Sequence, residues 1–304
     1  MTISRRVVVI VTMALSVLLL WRWKSNQNYA TLVQFLTQQK TPQQNTFDIV
    51  LAHYSEPLDE LRQQIQILKN VPAIASLAPR AIVYTKGLTP DSTYEQQETL
   101  RQELDADILR ILPNVGREGD TYLAHIVEHH DELARHTLFA QAHMELLERA
   151  TKRLQNHFTD RLAAMSLGPY DTCSCDACFV YPTNPDPVHG FKRVPQLYSI
   201  FNECLCPPEG LLLTFKGQFV VSRQRITRNS REKFIWLRSI LTNMTHFVHD
   251  DPVEGNNMSG PGFDNKIESP LFGHTLERSW MFIFGCNDLT LLRTCGDERC
   301  GCYD

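Results

Sequence analysis

The sequence predicts an α/β domain, a mostly parallel central sheet flanked by helices, on an N-terminal single transmembrane helix. Three observations predict it. Short apolar runs that end abruptly in polar residues recur through the first half of the chain, as buried parallel strands do. Segments with apolar residues three and four apart separate those runs, as amphipathic helices require. The chain also opens on an almost wholly apolar stretch behind two arginines.

That stretch, Val7–Trp21, follows Arg5 and Arg6 and runs into Trp21-Arg22-Trp23-Lys24. At about 1.5 Å per residue it reaches about 22 Å, short for a bilayer core of about 30 Å. A secretory h-region has this length, but no small-residue cleavage site follows. The Trp–Arg–Trp–Lys cluster suits a membrane interface. An uncleaved signal anchor is therefore preferred over a cleaved signal or a buried helix. Residues 25–46, rich in Gln and Asn, read as a stem.

The globular body is expected over 47–285. Asp48–Tyr54 is the first strand, and Leu58, Leu61, Ile65 and Leu68 mark the apolar face of a helix. Ala81–Tyr84 is the second strand, stopped by Lys86-Gly87; Ile108–Leu112 is the third, stopped by Pro113. A helix follows over Gly119–Leu133 with Asp120 as its N-cap, then a fourth strand over Thr137–Ala140. Glu145–Met165 reads as one helix and Gly168–Pro208 as largely loop. Leu211–Val221 reads as strand or hairpin, Arg231–Leu241 as helix, and His249–Gly273 as a long loop. Thr275–Phe284 is a last helix, and residues 286–304 a crosslinked tail. Right-handed crossovers place the loops after each strand along one edge, where open α/β sheets bind ligands.

Composition bounds the function. A net charge of -4 implies no basic surface for nucleic acid. Nine cysteines, from Cys173 to Cys302, and two sequons, at Asn243 and Asn257, fit a lumenal body. Closely spaced cysteines, as in Cys300-Gly-Cys302, are read as disulfide-bonded rather than zinc-binding, with the connectivity open and one thiol left over. The resulting expectation is a single-pass type II protein of the Golgi or ER lumen, whose one membrane partner is its own anchor.

The candidate chemistry lies at the strand ends. Arg117 and Glu118 follow a glycine after the third strand; a guanidinium there can hold two oxygens of a diphosphate or carboxylate, or the two can simply pair. Gln141 and His143 end the fourth strand as substrate contacts. His143 with Asp250 or Asp251 could hold a metal, but a hydrogen-bonded loop histidine is the preferred reading, and no metal ligand is assigned. His125 and His129 are four apart on a helix, yet Glu128 is misplaced for a zinc hydrolase, so His125, His129, His130 and His136 are expected at the surface. Arg223 and Arg225 follow an apolar strand and either bind an anion or cap the strand in water.

Asn114-Val-Gly-Arg-Glu118, Thr121-Tyr-Leu123, Leu138-Phe139, Gln141, Gln218–Arg223, Glu277-Arg-Ser-Trp280 and Ile283-Phe-Gly285 together resemble a fungal family defined as a domain of unknown function. The likeness spans about Asp48–Gly285 and implies no activity. Ala142 stands where relatives carry Gly. A second likeness is to glycosyltransferases of the GT-A type, with Asn114-Val-Gly116 as their Asn-x-Gly turn. Where that type carries an Asp-x-Asp metal site, this chain has Gln141-Ala-His143. That likeness implies a nucleotide-sugar donor and a glycan or small-molecule acceptor; together with the strand-end residues, the expected substrate site is Asn114, Arg117, Glu118, Gln141, His143 and Arg223. It also implies Glu277 as catalytic base with Arg278 offsetting leaving-group charge, against a structural Glu–Arg pair under Trp280. No cofactor is named by the residues. The alternatives are a non-catalytic secretory or cell-wall-associated binding protein and a tailoring enzyme of fungal secondary metabolism.

Overall fold

In the computed structural model, which describes residues 46–176, 178, 191, 193–249, 265–295 and 299–304, the apolar run after Thr46 forms the central strand β1, Phe47–His53. It pairs in parallel with β2, Arg80–Thr85, on one side and with β4, His136–Gln141, on the other. β3, Ile108–Ile111, lies beyond β2, also parallel. On the other flank β8, Phe219–Ser222, runs antiparallel between β4 and β5, Leu162–Ser166. β9, Cys302–Tyr303, closes that edge, so the sheet order is β3-β2-β1-β4-β8-β5-β9. The central sheet is thus mixed and mostly parallel. The membrane-anchor and stem expectations, Asp250, Asp251 and Asn257 lie outside the described residues. No helix among the described residues is long and apolar enough to cross a membrane.

The strands alternate between two cores, as the two-residue period of a pleated strand demands. Phe47, Ile49 and Leu51 join one core, with Leu61, Ile65 and Leu68 of α1 (Leu58–Lys69) and Ile74 of α2 (Pro72–Ala75). Leu100 of α3 (Tyr94–Glu103) and Leu154 of α5 (Leu147–His157) also pack there. Val50 and Phe139 face the other core, filled by α4 (Arg117–His129), α6 (Arg193–Asn202), α8 (Arg231–Thr242) and α9 (Phe272–Ile283). Trp280 sits at its centre, 1% exposed, against Tyr122, Phe219 and Phe284.

Several expectations are corrected. The helix expected over Glu145–Met165 is α5 followed by β5, because Leu162–Ser166 is buried on both faces and a five-residue apolar run has no legible period. The segment read as loop contains β6, Tyr170–Cys173, and α6, whose Pro195 sits in the first turn where a missing N–H is harmless. Leu211–Val221 is two strands in two sheets: β7, Leu211–Thr214, pairs with β6, and the chain turns through Lys216 and Gly217 at positive φ before entering β8. α3 was not anticipated, since it buries no residue; its Thr93/Gln96 capping box was the available signal. The last helix starts three residues earlier than expected, at Phe272.

Four disulfides form: Cys173–Cys178, Cys175–Cys206, Cys286–Cys302 and Cys295–Cys300, with Cys204 free and exposed. Cys286–Cys302 ties β9 to the chain just past α9.

Candidate functional site

The C-terminal ends of β1, β2 and β4 open into a cleft of about 510 Å³. β1 contributes His53 and, just past its end, Tyr54 and Glu56; Lys86 follows β2. The turn from β3 into α4 contributes Asn114, Arg117 and Glu118, and β4 contributes Gln141, His143 and Glu145. Glu268 and Ser269 close the rim.

The turn after β3 is shaped by glycine. Gly116 caps α4 at φ 65°, and an added Cβ would lie 2.7 Å from the Asp120 Cβ, so both conformation and space require glycine. Arg117 continues at φ 51°. The Gly116 N–H donates to the Ile267 carbonyl at 2.8 Å and the Arg117 N–H to Glu268 at 3.2 Å, which pins the turn to the rim.

Beneath the turn lies a charge cluster. The Lys86 ammonium donates to the carbonyls of Val115 and Arg117 and lies 3.3 Å from the Asp120 carboxylate. Arg238 of α8 bonds the other Asp120 oxygen at 2.7 Å. Asp120 is fully buried, and the Lys86 side chain is 4% exposed. Burial pushes the Lys86 ammonium below its ordinary pKa, opposed by the adjacent carboxylate. Asp120 is therefore not the N-cap that its position suggested but the buried counter-ion of the loop.

Arg117 differs from these. Its guanidinium is 42% exposed and its one partner among the described residues is Glu118, at 3.7 Å. That pair is too loose to occupy the five donors of the fork. His143 is 62% exposed with its ring 3.5 Å from Glu60. His53 is buried between the Thr85 hydroxyl at 3.0 Å and the Glu56 carbonyl at 3.3 Å. The Glu56 carboxylate accepts the N–H groups of Tyr54 and Ser55, so it holds the bend after β1.

Asn114, Arg117, Glu118, Gln141 and His143 thus meet in one cleft. Glu277 and Arg278 stand behind its wall. The Glu277 carboxylate accepts the Lys216 N–H at 2.5 Å and lies 3.4 Å from Arg278 and 3.6 Å from His274. Burial opposes its ionisation, but the His274 hydrogen bond, the Arg278 charge and the Lys216 N–H prevail and hold it below the usual carboxylate range. The Arg278 guanidinium is sandwiched by the rings of Phe191 at 4.0 Å and Phe215 at 4.9 Å. Gly217 lies near both Glu277 and Glu118: a Cβ there would lie 3.6 Å from a Glu118 oxygen and 3.9 Å from the Glu277 Cγ.

Arg223 is not brought to the cleft. β8 is antiparallel to β4 and Ser222 pairs with His136, the first residue of β4, so Arg223 emerges at the opposite edge. The length of β4 separates the two edges by about 16 Å. Arg223 opens α7, Arg223–Thr227, with its N–H on the Arg135 carbonyl. Arg225 bonds Asp304 at 2.5 Å and the Gly285 carbonyl at 3.1 Å, so it ties the chain end down.

The histidine cluster is also corrected. His125 and His136 are 1% exposed, because they face β2 and β5 rather than solvent. Burial brings the His125 pKa down to about 3, with the neighbouring His129 adding to the shift. His129 pairs with Glu132 and His130 with the Asn229 carbonyl. No group of three or more His, Cys, Asp or Glu suited to a metal ion occurs among the described residues.

The sequence reading missed Lys86, Arg238, His53, Tyr54 and Glu268 as parts of the cleft or its support. Lys86 was visible as the polar residue that ends a strand, the same signal that singled out Arg117. Glu268 and Arg238 come from late segments that only the tertiary fold brings in.

No curated protein matches this chain. A family model does, over residues 89–303, beginning after β2 and including the cleft residues from Asn114 onward. The chain belongs to the family described as protein of unknown function DUF3431.

Proposed function

We propose that the cleft is the donor site of a glycosyltransferase-like enzyme of the secretory pathway, carried on a single type II anchor. The observation that supports this most is the meeting of Asn114, Arg117, Glu118, Gln141 and His143 at one point. It is the point where the chain, having wound from β1 to β2 and β3, returns to the other side of β1 as β4. Ligands of open α/β sheets bind at such switch points.

In this reading Arg117 holds the diphosphate of a nucleotide sugar with its planar fork, aided by the positive end of α4. Lys86, Asp120 and Arg238 hold the turn that carries Arg117. Gln141 and His143 contact the sugar. Transfer to a glycan or small-molecule hydroxyl needs a carboxylate to accept its proton. Glu277 has its oxygens engaged behind the wall, whereas the Glu268 carboxylate is exposed on the rim with no hydrogen bond or ion pair among the described residues. Four disulfides support the lumenal compartment.

One observation favours the second reading, a binding protein without turnover: β4 ends in Gln141-Ala-His143, with no Asp-x-Asp for a metal. A thermal-shift screen with nucleotide sugars, with and without manganese, separates the two when paired with an assay for released nucleotide. A donor at a hundredfold excess over Kd stabilises by about 2.7 kcal/mol, and Arg117→Ala should abolish that shift. A shift without released nucleotide supports the binding protein, and no shift with any donor sinks the transferase.

A further inference from the structure

We propose that Asn243 carries an N-linked glycan whose first sugars lie along the apolar groove between α4 and α8. Asn243 is exposed and stands at the C-terminal end of α8, one residue past Thr242. Its side-chain oxygen accepts the Thr245 hydroxyl at 2.7 Å and the Thr245 N–H at 3.1 Å. Both bonds are made by the oxygen. The amide nitrogen, the atom that would be glycosylated, makes none among the described residues, so a sugar there displaces no internal contact. The two bonds also fix the direction in which the side chain leaves the helix.

A groove reaches Thr242, the residue before Asn243. It measures about 450 Å³ and is lined by Pro113, Val115, Val127 and Ile235 with Arg238, Ser239 and Thr242. Ile235 is 48% exposed there, an outward-facing apolar residue on a helix whose Phe234, Leu237, Ile240 and Leu241 are buried. An exposed apolar strip beside an acceptor asparagine is suited to the apolar faces of sugar rings, whose hydroxyls can then reach Ser239 and solvent. Val115 forms part of the groove, and its carbonyl accepts from Lys86 beneath the cleft. A glycan on this strip therefore braces the turn that carries Asn114 and Arg117 from its outer side.

The modification rests on the secretory reading of the chain. Its chemistry is transfer from a polyprenyl-diphosphate oligosaccharide. The Asn243 nitrogen bonds to the anomeric carbon and gives up a proton, and the carbon–oxygen bond to the diphosphate breaks, with the electron pair leaving on the diphosphate.

The full chain, expressed through a eukaryotic secretory pathway, should be examined by glycopeptide mapping, thiol counting and amide hydrogen exchange. The expected result is a glycan on Asn243, lost in Asn243→Gln and Thr245→Ala and retained in Thr245→Ser. Amides of 235–242 and 113–116 should exchange more slowly in the glycosylated protein than in either unglycosylated variant. Oxidised disulfides with unmodified Asn243 overturn the proposal and leave the secretory reading standing; reduced cysteines with unmodified Asn243 overturn both. A glycan that leaves exchange along the groove unchanged overturns its placement there.

Discussion

Replacing Asp120 by Asn tests the support of the cleft directly. The substitution keeps the shape of the side chain and removes its charge. Asp120 is fully buried and faces Lys86 at 3.3 Å and Arg238 at 2.7 Å. In the variant the Lys86 ammonium, 4% exposed, retains only the carbonyls of Val115 and Arg117. Breaking a buried ion pair from one side costs about 3–5 kcal/mol, most of it from the charge left behind. Arg238 is 27% exposed and can turn to water, and Asn can still accept one hydrogen bond, so the lower end, about 3 kcal/mol, is expected. Urea unfolding should show this as a lower midpoint at unchanged slope. Adding Lys86→Met removes the stranded charge, so the double variant should be more stable than the sum of the two single losses by over about 1 kcal/mol. A loss below about 1 kcal/mol for Asp120→Asn, or simple additivity, would refute the argument that this carboxylate holds the turn.

Three further outcomes are expected. Gly116→Ala should cost about 2–3 kcal/mol, since it adds a left-handed penalty to a Cβ 2.7 Å from that of Asp120; a loss under about 1 kcal/mol in the same urea assay contradicts the geometry. His125 should contribute to acid lability: its pKa is about 3 folded and about 6.5 unfolded, so between those values the unfolded chain binds a proton that the native state does not. Stability should therefore fall with pH below about 6.5, with up to about 1.4 kcal/mol per pH unit due to this residue, and His125→Gln should flatten the dependence between pH 6.5 and 5. Equal slopes for the two proteins would exclude His125 as a source. Replacing both Cys286 and Cys302 by Ala opens a loop of 16 residues and should lower stability by about 3 kcal/mol in non-reducing calorimetry, with faster amide exchange at β9; no change would mean that β9 holds without its staple.

The parallel half of the sheet was legible because its strands are buried on both faces and bounded by charge or proline, as at Lys86-Gly87 and Pro113. α1 and α4 were legible from their apolar faces. α3 was not, since a helix with a single partly buried apolar residue, Leu100, shows no apolar face. Five of the six residues expected to bind substrate fall in the cleft because strand-end position is a property of the parallel winding. Arg223 fails for the same reason in reverse: its strand ends in the same kind of polar residue, but β8 runs the other way, and direction leaves no mark on a four-residue apolar strand. The Lys86–Asp120–Arg238 cluster joins residues 34 and 118 positions apart, a proximity no local pattern encodes.

The placement of β8 also governs the order in which the chain can be completed. β4 and β5 follow one another in the chain, yet they do not pair with each other; each pairs with β8, which follows β5 only after the β6–β7 sheet and α6. Until β8 inserts, the growing domain carries two open strand edges, the kind of surface that recruits other chains. The far edge of β5 stays open longer still, until the last residues deliver β9. A chain that stalls or is cut before Phe219 therefore leaves all three edges open, and one that lacks β9 leaves the far edge of β5 open. Completion of the sheet therefore waits on β8 and β9, so loss of either strand should be registered in secretion and aggregation.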